Sequence, residues 1–301
     1  MADPPPPPPS PPSGIGIWIA GARPRTLGVS AAPVVVGTAC GELVAGSVIW
    51  WRALAALVVA LALQVGVNYA NDYSDGVRGT DADRRGPLRI TASGLAAPET
   101  VRFAALGAFG VAALAGLALA LAVDWRLLLV GALAILAAAL YTGGPRPYGY
   151  LGLGEVMVFV FFGLVATCGS QYVQIEDVTS TAVWGSFVVG LPTVAVLLAN
   201  NIRDIPTDAL AGKRTLAVRL GPVRARMLFG LCLAGSLVAV GGVCLDAPWA
   251  VVAFAAVPRA VQPIHLVLTR EDPPGLVAGL VATVRFTMAI AALTAIGIVL
   301  S

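Results

Sequence analysis

The sequence predicts an all-α fold: a polytopic bundle of nine transmembrane helices with a parallel internal repeat. Three observations predict it. Hydrophobic residues make up 58% of the 301-residue chain and charged residues only 12%, where a soluble domain carries about 25% charge. The mean hydropathy is +0.86. The apolar residues fall into nine runs, near 27–43, 48–70, 101–122, 125–142, 153–173, 182–202, 223–243, 248–268 and 277–300, and about 20 helical residues cross a hydrocarbon core of about 30 Å. So few charges cannot cover a water-facing surface of this size. That argues against a soluble enzyme, a disordered chain and a nucleic-acid binder. A lipid-facing surface needs no charge, and a helix satisfies its own backbone groups.

Residues 1–14 precede the first run. They hold Pro4 to Pro9, Pro11 and Pro12, so an extended, solvated tail is expected. No basic start leads into an apolar core, as a secretory signal requires. Residues 15–301 are expected to form one transmembrane domain. Short gaps, such as the one holding Asp124 and Trp125, predict tight helical hairpins. Ala and Gly are abundant in the runs, and Gly275 and Gly279 stand at small-xxx-small spacing, which predicts close helix packing. Cys40, Cys168, Cys232 and Cys244 lie in apolar stretches without a CxxC pair; they read as small core residues. His265 reads as a packed or interfacial side chain rather than a base.

The basic residues are placed unevenly. The gaps after odd-numbered runs hold only Arg52 and Arg126. Those after even-numbered runs hold Arg78, Arg84, Arg85, Arg89, Arg146, Arg203, Lys213, Arg214, Arg219 and Arg270. The positive-inside rule then puts the N-terminus and the even gaps in the cytoplasm of a cell-membrane protein.

Two of those gaps carry most of the polar chemistry, residues 68–94 and 200–221. Each starts with Asn at the end of an apolar helix and continues with Asp, Gly, basic residues and Thr. They lie four spans apart and so face the same side, as a parallel repeat requires. In the first, Asn71 and Asp75 share a helix face at i, i+4, Asn68 and Asp72 form a second such pair, and Asp81 and Asp83 follow. In the second, Asn200, Asp204 and Asp208 stand at i, i+4, i+8, with Pro206 bending the last turn. A charged group near a membrane interior costs about 2.5–3.5 kcal/mol, so a cation must compensate crowded carboxylates. Hard oxygen donors with amides among them suit Mg²⁺, which takes one or two carboxylates and completes its shell with phosphate and water. The neighbouring Arg and Lys residues suit phosphate. Acid and base together read as Mg²⁺–diphosphate binding. A third gap, residues 141–155, is a Gly- and Pro-rich turn in which Arg146, Tyr148 and Glu155 either line a pocket for a ring substrate or act as interfacial anchors.

These motifs, Asn71-Asp72-x-x-Asp75 with Asp81 following and Asp204-x-x-x-Asp208, resemble those of the UbiA superfamily of intramembrane prenyltransferases. So do Ala22-Arg23-Pro24-Arg25-Thr26-Leu27, Gly86-Pro87-Leu88-Arg89, Tyr141-Thr142-Gly143-Gly144-Pro145 and Gly152-Leu153-Gly154-Glu155. The likeness is greatest to members that prenylate 1,4-dihydroxy-2-naphthoate in menaquinone synthesis. The resemblance implies transfer of a polyprenyl group from its diphosphate to an aromatic acid, with Mg²⁺ as cofactor and the membrane lipid as surroundings. It implies Asp72, Asp75, Asp204 and Asp208 as catalytic carboxylates. Metal ligation then falls to Asn71, Asp75, Asn200, Asp204 and Asp208. Substrate contacts fall to Asn71, Arg78, Asp81, Arg89, Tyr148, Asn200, Arg203 and Lys213. A 4-hydroxybenzoate or homogentisate acceptor is the alternative within the superfamily. A cation-coupled transporter is the alternative outside it, although its site is expected near the bilayer midplane.

Overall fold

The structure, a computed structural model, describes residues 12–79 and 88–301. It is a helical bundle. A short helix, α1 (Ile15–Ala22), leads into α2 (Pro24–Ala45), α3 (Trp50–Arg78), α4 (Pro98–Ala122) and α5 (Arg126–Leu140). The next span is composite. It runs from α6 (Gly154–Val158) through a stretch of wider π turns (Phe159–Val165) into α7 (Ala166–Ile175). Then come α8 (Ser180–Leu210) and α9 (Leu216–Val243), a 3₁₀ stretch (Pro248–Ala256) continuous with α10 (Val257–Thr269), and α11 (Pro273–Val299).

Eight of these helical segments are long and apolar enough to cross a membrane, and α5, of 15 residues, is the shorter ninth. The nine expected runs are therefore present. Two end differently from expectation. Both α3 and α8 continue past the apolar sequence, to Arg78 and Leu210, so the Asn–Asp motifs are helical throughout. Hydropathy falls there, but the i, i+4 spacing persists and so does the backbone. α3 stops at Gly79, whose left-handed φ of 70° costs a glycine nothing. α8 keeps its course through Pro206.

The outward faces are apolar. Leu114 and Leu117 of α4, Leu129 and Leu133 of α5 and Leu231 and Val238 of α9 are all exposed, as a lipid-facing surface requires. Eight membrane-length apolar helices with such outward faces mark an integral membrane protein. The core between helices is built from small residues. A Cβ added to Gly37 of α2 would lie 2.1 Å from the Thr167 carbonyl oxygen of α7, and one on Gly279 of α11 would lie 2.7 Å from Val267 of α10. Small side chains let backbones approach this closely. Gly37→Ala is expected to destabilise the bundle by about 1–3 kcal/mol through overpacking. Gly107→Ala, where nothing lies within 4 Å of the added carbon, is expected not to. Thermal midpoints in one detergent check the contrast.

All four cysteines are free, with Cys40 and Cys232 buried and the other two partly so, as core residues should be. His265 is exposed on α10. The Pro-rich tail lies outside the described residues up to position 11, as do Asp81, Asp83, Arg84 and Arg85.

Candidate active site

α3 and α8 run in the same direction and end beside one cavity of about 710 Å³. Each lines it with residues three or four apart, the periodicity of one helix face. On α3 these are Ala60, Gln64, Asn68, Asn71 and Asp75; on α8 they are Thr193, Leu197, Asn200, Asp204 and Asp208. The first residues of each series are uncharged, and the last are acidic. The cavity therefore has a polar end and a long apolar body, the latter also walled by Leu119 of α4, Ala134 of α5, and Phe161 and Phe162 of the π stretch.

At the polar end Asp75 and Asp204 are each matched by a cation. Asp75 is 3% exposed and lies 3.4 Å from Lys213 Nζ and 3.6 Å from Arg89 Nη2. The Tyr150 hydroxyl also donates to it. Arg203 donates from Nε and Nη2 to the two oxygens of Asp204, both at 2.7 Å, and from Nη2 to the Asn200 side-chain oxygen at 2.8 Å. The Asn71 side-chain oxygen accepts from the Thr142 hydroxyl at 2.7 Å. Asp208 lines the cavity one helical turn beyond Asp204. Among the described residues the lining holds five basic side chains (Arg23, Arg25, Arg89, Arg203 and Lys213) against the carboxylates of Asp75, Asp204 and Asp208. That balance favours an anionic ligand.

Of the sequence-derived candidates, Asn71, Asp75, Arg89, Tyr148, Asn200, Arg203, Asp204, Asp208 and Lys213 meet at this cavity. Two do not. Asp72 is fully buried one residue round the helix from Asn71, away from the cavity. Its carboxylate accepts the backbone N–H groups of Ile90 at 3.0 Å and Thr91 at 2.8 Å. Expected from the sequence as a catalytic carboxylate, Asp72 here meets the backbone of the segment that carries Arg89 rather than the cavity. Arg78 is expected from the sequence to contact substrate. Instead its guanidinium donates to the Thr142 and Gly144 carbonyls and lies 5.6 Å from the Tyr150 ring centre, fastening the 141–155 turn onto α3. Asp81 lies outside the described residues.

That turn also separates its three candidates. Arg146 is exposed. Glu155 is buried and accepts from the Asn201 amide at 2.8 Å. Tyr148 lines the cavity, donates to the Ala137 carbonyl at 2.9 Å, and packs edge-on against Tyr141. Burial pushes the Tyr148 phenol up to about 12. Burial, with nearby Glu155, Tyr148 and Asp75, raises Tyr141 further still. Both phenols are neutral hydrogen-bonding groups at neutral pH, not bases.

Tyr150 is the site residue that sequence reasoning misses. It touches Asp75, and the Lys213 Nζ lies 4.7 Å from its ring centre. Tyr150→Phe removes one hydrogen bond to a charged group, a loss of about 1.5 kcal/mol. Turnover is expected to fall by about tenfold; an unchanged kcat would leave Tyr150 without a part in setting Asp75.

Residues 31–276 match the model of the UbiA prenyltransferase family. The chain is 52% identical over 245 residues to the 1,4-dihydroxy-2-naphthoate octaprenyltransferase of Mycobacterium tuberculosis, covering 81% of this chain and 84% of that one. It is 37% identical to the enzyme of the same name from Escherichia coli, over 94% and 95% of the two chains. Among solved structures it is similar to a UbiA homolog from Aeropyrum pernix K1 (TM-score 0.67, 15% identity, 91% and 97% coverage). It is also similar to one from Archaeoglobus fulgidus bound to DMAPP and Mg²⁺ (TM-score 0.60, 14% identity, 92% and 98% coverage). Sequence match and fold agree over most of the chain: it belongs to the UbiA prenyltransferase family.

Proposed function

We propose that this protein transfers a polyprenyl group from polyprenyl diphosphate to 1,4-dihydroxy-2-naphthoate, releasing diphosphate and CO₂ and giving demethylmenaquinol. One observation carries the reading: a single cavity joins a basic and acidic end, built from both repeats, to a long apolar body. An isoprenoid diphosphate has that same division between a charged head and an apolar tail. The names of the relatives at 37–52% identity support the naphthoate acceptor.

Mg²⁺ fits the donor set. Among the described residues no three His, Cys, Asp or Glu side chains form an all-protein metal cage. The lining instead offers carboxylates from Asp75, Asp204 and Asp208 and amide oxygens from Asn71 and Asn200. A hard cation held by one or two carboxylates and the substrate's own phosphates is the usual Mg²⁺ arrangement. When bound there, it supplies Lewis-acid stabilisation of the leaving diphosphate. The fold relative with DMAPP and Mg²⁺ supports that assignment.

The chain's own residues do the remainder. Arg89, Arg203 and Lys213 place positive charge where the departing diphosphate gains negative charge. The C1–O bond of the allylic donor breaks, and cationic character develops at C1. The carboxyl-bearing carbon of the electron-rich ring bonds to C1; CO₂ then leaves, returning its bonding pair to the ring. Leu119, Phe161 and Phe162 keep water from the cation. The site then faces the cytoplasm of a cell membrane, with the N-terminus on the same side, as the arginine bias dictates.

The test is an assay of the purified protein with Mg²⁺, a polyprenyl diphosphate and competing aromatic acids. One CO₂ per prenylated naphthoquinol is expected. Prenylated 4-hydroxybenzoate without a naphthoquinol product would overturn the acceptor, and no prenylated product at all would overturn the activity.

A further inference from the structure

Most arginines near the polar end of the bundle are held by protein groups. Arg203 is paired with Asp204 and Arg270 with Asp272, and Arg226 donates to the Val267 and Arg270 carbonyls. Arg259 and Arg285 are different. Both are exposed, both lie within helical spans rather than in loops, and neither side chain makes a hydrogen bond or ion pair among the described residues.

Their positions are related. α10 and α11 pack antiparallel. A Cβ on Gly275 would touch Arg270, one on Gly279 would touch Leu266 and Val267, and one on Gly297 would touch Ala250. Carried along the pair, that register sets Arg285 level with residues 260–262, within a turn of Arg259. Depth follows from α2. A Cβ on Gly28 would meet Met288 and Val284, so Arg285 is level with the first turns of α2. That helix has 22 residues, about 33 Å, which is the thickness of the hydrocarbon core. Its start, at Pro24 and Arg25, lines the polar end of the cavity. Both arginines thus sit within the apolar layer, on the half that faces the catalytic end.

A guanidinium at that depth must be offset, either by its own reach to water or by an anion brought to it. Two of them on adjacent helices, beside the exposed small residue Ala278 of α11 and with the exposed Gln262 on the same stretch of α10, make a seat for a phosphate with an acyl chain lying beside it. We propose that Arg259 and Arg285 bind the headgroup of an anionic phospholipid on the outer surface of the α10–α11 pair. The partner is lipid rather than protein because both side chains leave their helices within the apolar span, where a long arginine stem reaches toward the headgroups, and the flanking surface is apolar. This site is separate from the prenyl-transfer cavity and does not depend on its assignment.

The test uses the full-length protein in detergent, titrated with phosphatidylglycerol or phosphatidylcholine and followed by native mass spectrometry. Wild type is expected to retain phosphatidylglycerol over phosphatidylcholine by about tenfold or more, given the attraction of basic residues for anionic headgroups. Arg259→Gln/Arg285→Gln is expected to bring that ratio close to one. Arg224→Gln, which removes an exposed arginine from α9, is expected to leave it unchanged. Thermal midpoints in phosphatidylcholine alone, equal for wild type and the double variant, establish that the variant is folded. The single variants Arg259→Gln and Arg285→Gln, each expected to lower the ratio, serve in its place if it is not. A wild-type ratio near one, an unchanged ratio in the folded double variant, or an equal loss in Arg224→Gln would each overturn the site.

Discussion

Asp75→Asn is expected to cut kcat at least about a hundredfold, on the scale of removing one preorganised electrostatic group from a transition state. The reason is where Asp75 stands. It is buried at the cavity's polar end between Lys213 and Arg89, with Tyr150 donating to it. An amide keeps the shape and loses the charge that would hold a divalent cation. Half-saturation by Mg²⁺ should therefore move to higher concentration. The apparent affinity for the prenyl diphosphate should not fall, because Lys213 and Arg89 are released to meet it. Asp204→Asn is expected to show the same loss of turnover with an added stability cost. Arg203 is 1% exposed and gives Asp204 two hydrogen bonds, and leaving a buried charge unpaired costs about 3–5 kcal/mol. Arg203→Met added to Asp204→Asn should restore much of that stability without restoring activity. Turnover against Mg²⁺ concentration, with thermal midpoints alongside, separates these effects. Normal turnover of either single variant at ordinary Mg²⁺ would place the metal site elsewhere.

The bundle is legible in the sequence because its evidence is length: a run of about 20 apolar residues has few other uses. α1 is not, because Ile15–Ala22 is eight residues, too short to stand out from the tail before it. The facing of Asn71, Asp75, Asn200, Asp204 and Asp208 is legible too, because i, i+4 spacing puts residues on one helix face by residue order alone. Asp72 cannot be sorted from its neighbours in that way. One residue of rotation takes it to Ile90 and Thr91, and that segment's path is tertiary information. The turn at 141–155 is the least legible. Tyr148 and Tyr150 are equivalent in sequence, but the 3₁₀ turn Tyr148–Leu151 sends one to the Ala137 carbonyl and the other to Asp75. Arg78 reads as a phosphate ligand from its charge alone. Nothing in the sequence shows that two backbone carbonyls await it.

The difference between a carboxylate that holds a cation and one that holds the chain gives the second large effect. Asp72→Ala leaves the N–H groups of Ile90 and Thr91 without their acceptor inside the protein. Each orphaned donor costs about 1–3 kcal/mol, so the thermal midpoint should drop sharply. Activity should drop as well, since Arg89 is the residue next to that anchor and its guanidinium reaches Asp75. Asp72→Asn is the sharper instrument. Its amide oxygen can still accept from one of the two N–H groups, while its NH₂ faces the other, so the segment shifts without losing its fold. The expected signature is a fall in kcat of about tenfold or more with half-saturation by Mg²⁺ unchanged, the opposite split from Asp75→Asn. The reasoning is that a displaced Arg89 weakens charge stabilisation on the diphosphate but leaves every cavity-lining carboxylate in place. If Asp72→Asn instead raises the Mg²⁺ requirement as Asp75→Asn does, Asp72 belongs with the metal ligands and the two backbone hydrogen bonds are secondary.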